Sequence, residues 1–406
     1  MFASKASDQL SLEDLANDFC EQHGISISKQ GLHERFNDFS VAFMTDLLRH
    51  QLSQQLSTSK SKECSRFNRI RIKDSTRFCV PKEYASTYKG QGGIGTAAQI
   101  SIQYEYDILT GNPLVLQLTS ACRNDQQDSK ETLDDIEKGD LLIRDLAYTS
   151  QKYIQHINKS EAFYLNRLNP KWKVLDKDGS PIDFLKITKH LAKHSLPLLE
   201  VDVQIVIGKD LLNTRLIISK VDASTYTKRL AKAQIAAKSK GYQVTDKYKT
   251  SAALNLFITN IPKDWLKAEQ VRNAYSLRWQ IELIFKVWKS QANIDQVKAM
   301  KLQRFQCQLI ARFLWLLLHW KMLGIIQQWL TSQHKEKDYR CSIWKFYKVA
   351  YRLSNSLRQI LLTKKSPNPW IEQLFRAGER QLLTETKKDK KKKDKLSTQK
   401  ILFMLA

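Results

Sequence analysis

The chain has 406 residues, with 66 Lys and Arg against 41 Asp and Glu, a formal charge of +25 and a pI of about 9.7. That length allows two or three domains around a sizeable core, and that charge suits a partner bearing a dense row of negative charges, nucleic acid first. Six scattered cysteines (Cys20, Cys64, Cys79, Cys122, Cys307, Cys341) without C-x-x-C spacing argue against a zinc site or disulfide framework and fit a reducing cytosol.

The opening residues, MFASKASDQLSLEDL, contain no apolar signal core. Residues 1–62 read as a helical amino-terminal DNA-binding domain. Its first helix has Ser11 as N-cap, Asp14 three residues on and Gly24 as its stop. SKQGLHERFNDF predicts a second helix and VAFMTDLLRHQL a third. Short helices around a tight turn permit a helix-turn-helix reader, and a plain helical or dimerisation unit fits the same stretch.

From residue 68 the period becomes two. Ile70, Ile72, Asp74, Thr76, Phe78 and Val80 share one strand face, and Arg69, Arg71, Lys73 and Arg77 the other. Asp74 thus stands where an apolar residue belongs. An inward carboxylate needs a partner, of which a metal ion is one; the plainer alternative is an Asp capping a turn at the strand end. A hairpin follows, with Ile100, Ile102, Tyr104 and Tyr106 alternating before TGNP and Leu114, Leu116 and Leu118 after it. SKETLDDIEKGD predicts a short helix, LLIRD a buried strand ending in Asp145, SQKYIQHIN a helix and FYLNRL a strand. Three antiparallel strands, helix, strand, helix, strand is the layout of an α/β, ribonuclease H-like core. One carboxylate sits on its first strand and one at the end of its fourth, and the third acid of such a core arrives on a later helix.

The core is expected in two parts, 63–169 and 254–330, divided by a β-rich insertion at 170–253 that ends in the lysine-rich helix YTKRLAKAQIAAKSKG. LIARFLWLLLHWKMLGIIQQWL (309–330) is apolar enough for a membrane span, but Arg312, His319 and Lys321 interrupt it and favour a core helix. Residues 331–406 read as a helical carboxy-terminal region. Its basic run KKDKKKKDK (387–395) reads as a solvated tail, with non-specific DNA attraction as the alternative.

The stretch YSLRWQIELIFKVWK (275–289) is apolar apart from one stripe. On an α-helical wheel Tyr275, Arg278, Glu282 and Lys289 fall at roughly 0°, 300°, 340° and 320°. The bland account is an Arg278–Glu282 pair on a solvated face. The sharper account makes Glu282 an acidic ligand, with Arg278 and Lys289 holding flanking phosphates and Tyr275 hydrogen-bonding another. Asp74, Asp145 and Glu282 on a basic chain suit two hard divalent cations, which take oxygen ligands and stand about 3.5–4 Å apart for in-line phosphoryl transfer. Two other motifs are decoys. GQGGIG (90–95) leads into a strand rather than a helix, and HLAKH lacks the glutamate of a zincin motif.

The spacing Y-x2-R-x3-E-x6-K at Tyr275, Arg278, Glu282 and Lys289 resembles the signature of the insertion sequence 4 family of bacterial DDE transposases. KDSTRF around Asp74, GDLLIRDLAY around Asp145 and FITNIP before the glutamate helix resemble that family's other blocks, in the same order. The resemblance spans about residues 25–330. It implies a ribonuclease H-like core with an insertion before the glutamate helix and magnesium dependence, manganese being expected to substitute. It also implies cut-and-paste movement of an element bounded by terminal inverted repeats, with DNA as partner, a homodimer as the active complex and no membrane. Similar enzymes place a flipped base on a tryptophan of the insertion. Trp172 is the one tryptophan inside that region and lies early in it, while Trp265 falls after it, so the role is left unassigned. A ribonuclease H-like nuclease without strand transfer, and a catalytically silent DNA-binding descendant, are the alternatives.

Overall fold

The computed structural model describes residues 11–54, 66–92, 97–333, 341–363, 365–377 and 398–405. The lysine run 387–395, residues 93–95 of GQGGIG and Cys64 lie outside them. Helices α1 (Leu12–His23), α2 (Lys29–Arg35) and α3 (Asp38–Ser53) come first. A Ser11–Asp14 capping box opens α1, and Gly24 closes it at φ 65°. The helix expected across SKQGLHERFNDF stops at Arg35, because Asn37 starts a new one. The Asn37 side chain accepts from the Ser40 N–H while the Ser40 hydroxyl accepts from the Asn37 N–H.

The centre of the molecule is one nine-stranded mixed sheet flanked by helices, in the order β3-β2-β1-β4-β5-β9-β8-β7-β6. The strands are β1 (Arg69–Cys79), β2 (Gln99–Asp107), β3 (Pro113–Ser120), β4 (Asp140–Arg144), β5 (Phe163–Arg167), β6 (Val174–Leu175), β7 (Leu198–Ile207), β8 (Asp210–Lys220) and β9 (Leu254–Thr259). β1, β2 and β3 are antiparallel neighbours, β4 runs parallel to both β1 and β5, and β9 returns antiparallel to β5. Strands β6–β8 continue the same sheet beyond β9. The β2–β3 turn uses Gly111 at φ 75°, where a side chain would be strained.

The remaining helices are α4 (Asp125–Glu131), α5 (Gln151–Lys159), α6 (Phe184–Lys193), α7 (Ala223–Ser239), α8 (Asp246–Ala252), α9 (Ala268–Tyr275), α10 (Trp279–Gln291), α11 (Leu302–Gln333), α12 (Ile343–Arg352), α13 (Ser354–Thr363), α14 (Asn368–Ala377) and α15 (Thr398–Leu405). Helix α4 ends where SKETLDDIEKGD leads one to expect a helix to begin. Asn124 caps it early, accepting from the Gln127 N–H.

Alternation along the strands builds a core on each face. On one face Ile70, Ile72, Ile100, Ile102, Leu141 and Ile143 pack with Ile281, Ile284 and Trp288 of α10, Phe313 and Leu316 of α11, and Leu48 of α3. On the other, Leu142 and Tyr164 meet Ile154 of α5 and Leu191 of α6. Helix α11 is long and apolar enough to cross a membrane by length and composition, yet half of that window is buried inside the molecule. His319 is fully buried within it, and burial pushes its imidazole down to about 4. The helix also holds α3, since Lys321 Nζ donates to the carbonyls of Gln51 and Gln54.

The polar face of β1 is not a solvated one. Arg71 and Lys73 are almost completely buried, with Glu105, Asp128, Asp140 and Arg144. Glu105 Oε1 accepts from Arg71 Nε at 3.0 Å and from Arg144 Nη2 at 2.9 Å. Lys73 Nζ meets Asp128 of α4 at 2.5 Å, and Arg69 meets Asp140 at 2.6 Å. Burial alone would raise the Glu105 carboxyl, but Arg144, Arg71 and Lys73 outweigh it and hold it far below the usual carboxylate range.

Candidate active site

The same pleat that aims Arg71 and Lys73 one way aims Asp74 the other. Asp74 lies opposite Tyr104 of β2 and faces the elements that follow β9. Those elements are not one continuous helix from Tyr275, as a single wheel would have it. Helix α9 ends at Tyr275, a 3-10 turn covers Ser276–Arg278, and α10 starts at Trp279. The apolar side is nevertheless buried as its pattern predicts, through Leu277, Ile281, Ile284, Phe285, Val287 and Trp288. Trp279 and Leu283 are exposed.

Burying that side presses the charged stripe against the sheet. Arg278 Nη1 donates to Asp74 Oδ2 at 2.9 Å, and its Nη2 donates to Glu282 Oε1 at 2.5 Å. That guanidinium bonds a carboxylate 204 positions before it in the chain and another four positions after it. The other oxygen of Asp74, Oδ1, accepts from the Ser75 N–H at 2.8 Å. Asp145 closes β4 and caps a 3-10 turn at Leu146–Tyr148, with its carboxyl half-buried. It is near enough to act on the charge of Asp74, Tyr275 and Arg278.

The electrostatics follow from that crowding. Burial pushes the Asp74 carboxyl up to about 6; the Ser75 N–H and then Arg278 oppose this, and Asp145 and Glu282 add to it. Burial would lower the Arg278 guanidinium, but Glu282 first, and then Tyr275, Asp74 and Asp145, outweigh it and raise it. Tyr275 is held neutral, raised by burial and by Asp145.

The other members of the stripe are also engaged within the protein. Lys289 Nζ donates to the Arg77 carbonyl on β1 at 3.0 Å, and the Tyr275 hydroxyl reaches the Arg144 carbonyl, next to Asp145, at 3.4 Å. Behind β1, Asp125 Oδ1 accepts from the Ser75 hydroxyl, Arg77 and Gln103 at 3.1–3.2 Å, fixing the backbone from which Asp74 and the Lys289 acceptor project. Sequence reasoning passed over Asp125.

As a cation site the donor set is all oxygen, carboxylate and strongly charged, which is the chemistry a hard divalent ion takes. Asp74 in particular carries a carboxylate that burial disfavours unless a cation is near. In the arrangement described, that cation is Arg278. Among the described residues no group of three or more His, Cys, Asp or Glu side chains is close enough to hold an ion. His190 of α6 and His194 just past its end are exposed, with rings 4.6 Å apart, and form no such group.

The family model described as "Transposase DDE domain" matches residues 65–318. The transposase for insertion sequence element IS231F of Bacillus thuringiensis subsp. israelensis is 34% identical over 333 residues, covering 78% of this chain and 69% of that protein. The transposase for IS231E of Bacillus thuringiensis subsp. finitimus is 34% identical over 75% of this chain and 68% of its own length. The transposase for IS1151 of Clostridium perfringens is 32% identical over 72% and 65% respectively.

Proposed function

The chain belongs to the DDE transposases of insertion sequence elements, which cleave DNA and transfer its strands with divalent metal ions, and from that premise we propose that Asp74, Asp145 and Glu282 are its catalytic carboxylates. The observation that carries this reading is the Arg278 fork. It brings an acid from β1 and an acid from α10 to one guanidinium, beside the carboxyl that ends β4. The strand order β3-β2-β1-β4-β5, with β1–β3 antiparallel and β4 parallel to both its neighbours, supports a ribonuclease H-like core. On that reading β6–β8 and α6–α8 are its insertion, and α1–α3 form the unit that reads the terminal inverted repeats, in an active complex of two copies.

The three carboxylates would hold two divalent ions, magnesium by preference with manganese able to replace it. Bound there, the ions supply Lewis-acid activation of the attacking oxygen and stabilisation of the leaving oxygen. The protein's own part is placement. The carboxylates are partly shielded from water, so their charge acts in a medium of lower effective dielectric. Lys289 and Tyr275, at either side of Glu282, orient phosphates of the cleaved strand, and Arg278 takes a bidentate phosphate contact.

With magnesium or manganese the protein nicks DNA bearing its element's terminal repeats, and EDTA stops the nicking while leaving gel-shift binding largely intact. Equal cleavage in EDTA would remove the metal scheme. Binding to non-cognate DNA weakens steeply as salt rises, because each phosphate neutralised by Lys or Arg releases counterions, at a slope of roughly 0.9 per phosphate. A flat dependence between 50 and 200 mM salt, on the order of concentrations where such losses reach ~10³-fold, would point to another partner.

A further inference from the structure

Resting on the carboxylate assignment above, the contacts of Arg278 say more about how the site is loaded. A guanidinium fork matches a single carboxylate with two parallel hydrogen bonds. Arg278 instead spends one nitrogen on Asp74 and another on Glu282, its side chain only 16% exposed. Both oxygens of Asp74 are engaged, Oδ1 by the Ser75 N–H and Oδ2 by Arg278. A cation that binds Oδ2 must share or replace the guanidinium, and one that binds the second lone pair of Oδ1 still shares the carboxylate with it, so the two positive charges repel.

We propose that Arg278 is a displaceable counter-ion: it holds Asp74 and Glu282 together in the DNA-free chain, competes there with the divalent cation, and turns to a DNA phosphate when displaced. Three features make the exchange workable. The arginine sits at the joint between the 3-10 turn and α10, next to the exposed Trp279. Leu277 and Ile281 on either side are buried and keep the backbone fixed. The charge it gives up on leaving is replaced by the arriving cation, so the acids are not left bare. Because phosphate and metal then draw the same side chain in the same direction, each strengthens the other's binding, as linkage requires. Arg278 is a positioning residue in this scheme, and it makes the loaded site conditional on DNA.

The test measures Mn2+ binding to the DNA-free, full-length protein by electron paramagnetic resonance of the free ion, with melting followed in parallel. Arg278→Gln removes the charge and the far end of the side chain while leaving a polar amide. It binds Mn2+ about tenfold more tightly than the unaltered chain, the order of one charge-assisted hydrogen-bonded contact. Without metal it melts at a lower temperature, and Mn2+ raises its melting point by more than it raises that of the unaltered chain. Arg278→Lys, with the charge but not the fork, falls between the two. Added Mg2+ strengthens binding of end DNA to the unaltered chain more than to Arg278→Gln. Asp74→Asn is the control. If it removes Mn2+ binding while Arg278→Gln leaves the affinity unchanged or weaker, the competition proposed here is overturned and the carboxylate assignment stands. If Asp74→Asn leaves Mn2+ binding intact, both are overturned.

Discussion

Glu282→Ala leaves the protein folded and bound to its element's ends but unable to nick or join them. The fold survives because Glu282 is partly exposed and contributes no side chain to the apolar core, and because Arg278 keeps its bond to Asp74. Binding survives because the change removes a negative charge from a surface meant for phosphate, so affinity stays level or rises slightly. Chemistry fails because an acid placed to hold a metal acts in the transition state. Losing about three orders of magnitude in rate corresponds to roughly 4 kcal/mol of stabilisation, within what such electrostatic placement supplies. A merely solvated Arg278–Glu282 pair makes the opposite prediction, with either partner replaceable for under about 1 kcal/mol and little loss of activity. Variants of unchanged melting temperature, assayed separately for binding, nicking and strand transfer, distinguish the two. An active Glu282→Ala enzyme would end the assignment of all three acids.

The largest stability effect lies on the reverse of β1, at Glu105. Glu105→Gln changes volume little but withdraws the only carboxylate described in contact with Arg144, and one of the two that reach Arg71. Both guanidiniums remain buried. Removing one member of such a buried ionic cluster costs about 3–5 kcal/mol, because the uncompensated charge stays in a medium that cannot solvate it. Domains of ordinary stability have only about 5–15 kcal/mol in total, so the variant should express poorly or melt well below the parent. Urea unfolding of purified protein measures this, and a loss under about 1 kcal/mol would mean that water already reaches the cluster.

Period-two alternation made β1, the hairpin and Asp74's odd placement visible in the sequence. The order of acids along the chain was legible because each sits at the end or on the inward face of an element with a strong pattern. What stayed hidden was partnership across distance. Nothing near Arg278 indicates that it bonds Asp74, and nothing near Lys73 indicates Asp128, since such pairs are set by sheet order rather than by spacing. The 3-10 turn at Ser276–Arg278 carries no Gly or Pro to mark it, so the helix looked continuous. Asn37 looked like the interior of a helix because its role as a cap depends on the Ser40 hydroxyl turning back to it.

Sheet order also sets a timetable for synthesis. Strand β5 waits for β9, and the Thr259 hydroxyl that seals Tyr164 lies 95 residues further on. Glu282 follows β9, and Arg278, which gathers it to Asp74, lies 204 positions after that acid. At about 5–20 residues per second, a ribosome needs roughly 10–40 s to cover that interval. For the part of it between the completion of β5 and the arrival of β9, β5 presents an unpaired edge open to stray strand pairing. On the proposed role of Glu282 the emerging chain is catalytically silent for most of its translation, and its exposed β5 edge falls within the same period, before β9 has closed the sheet.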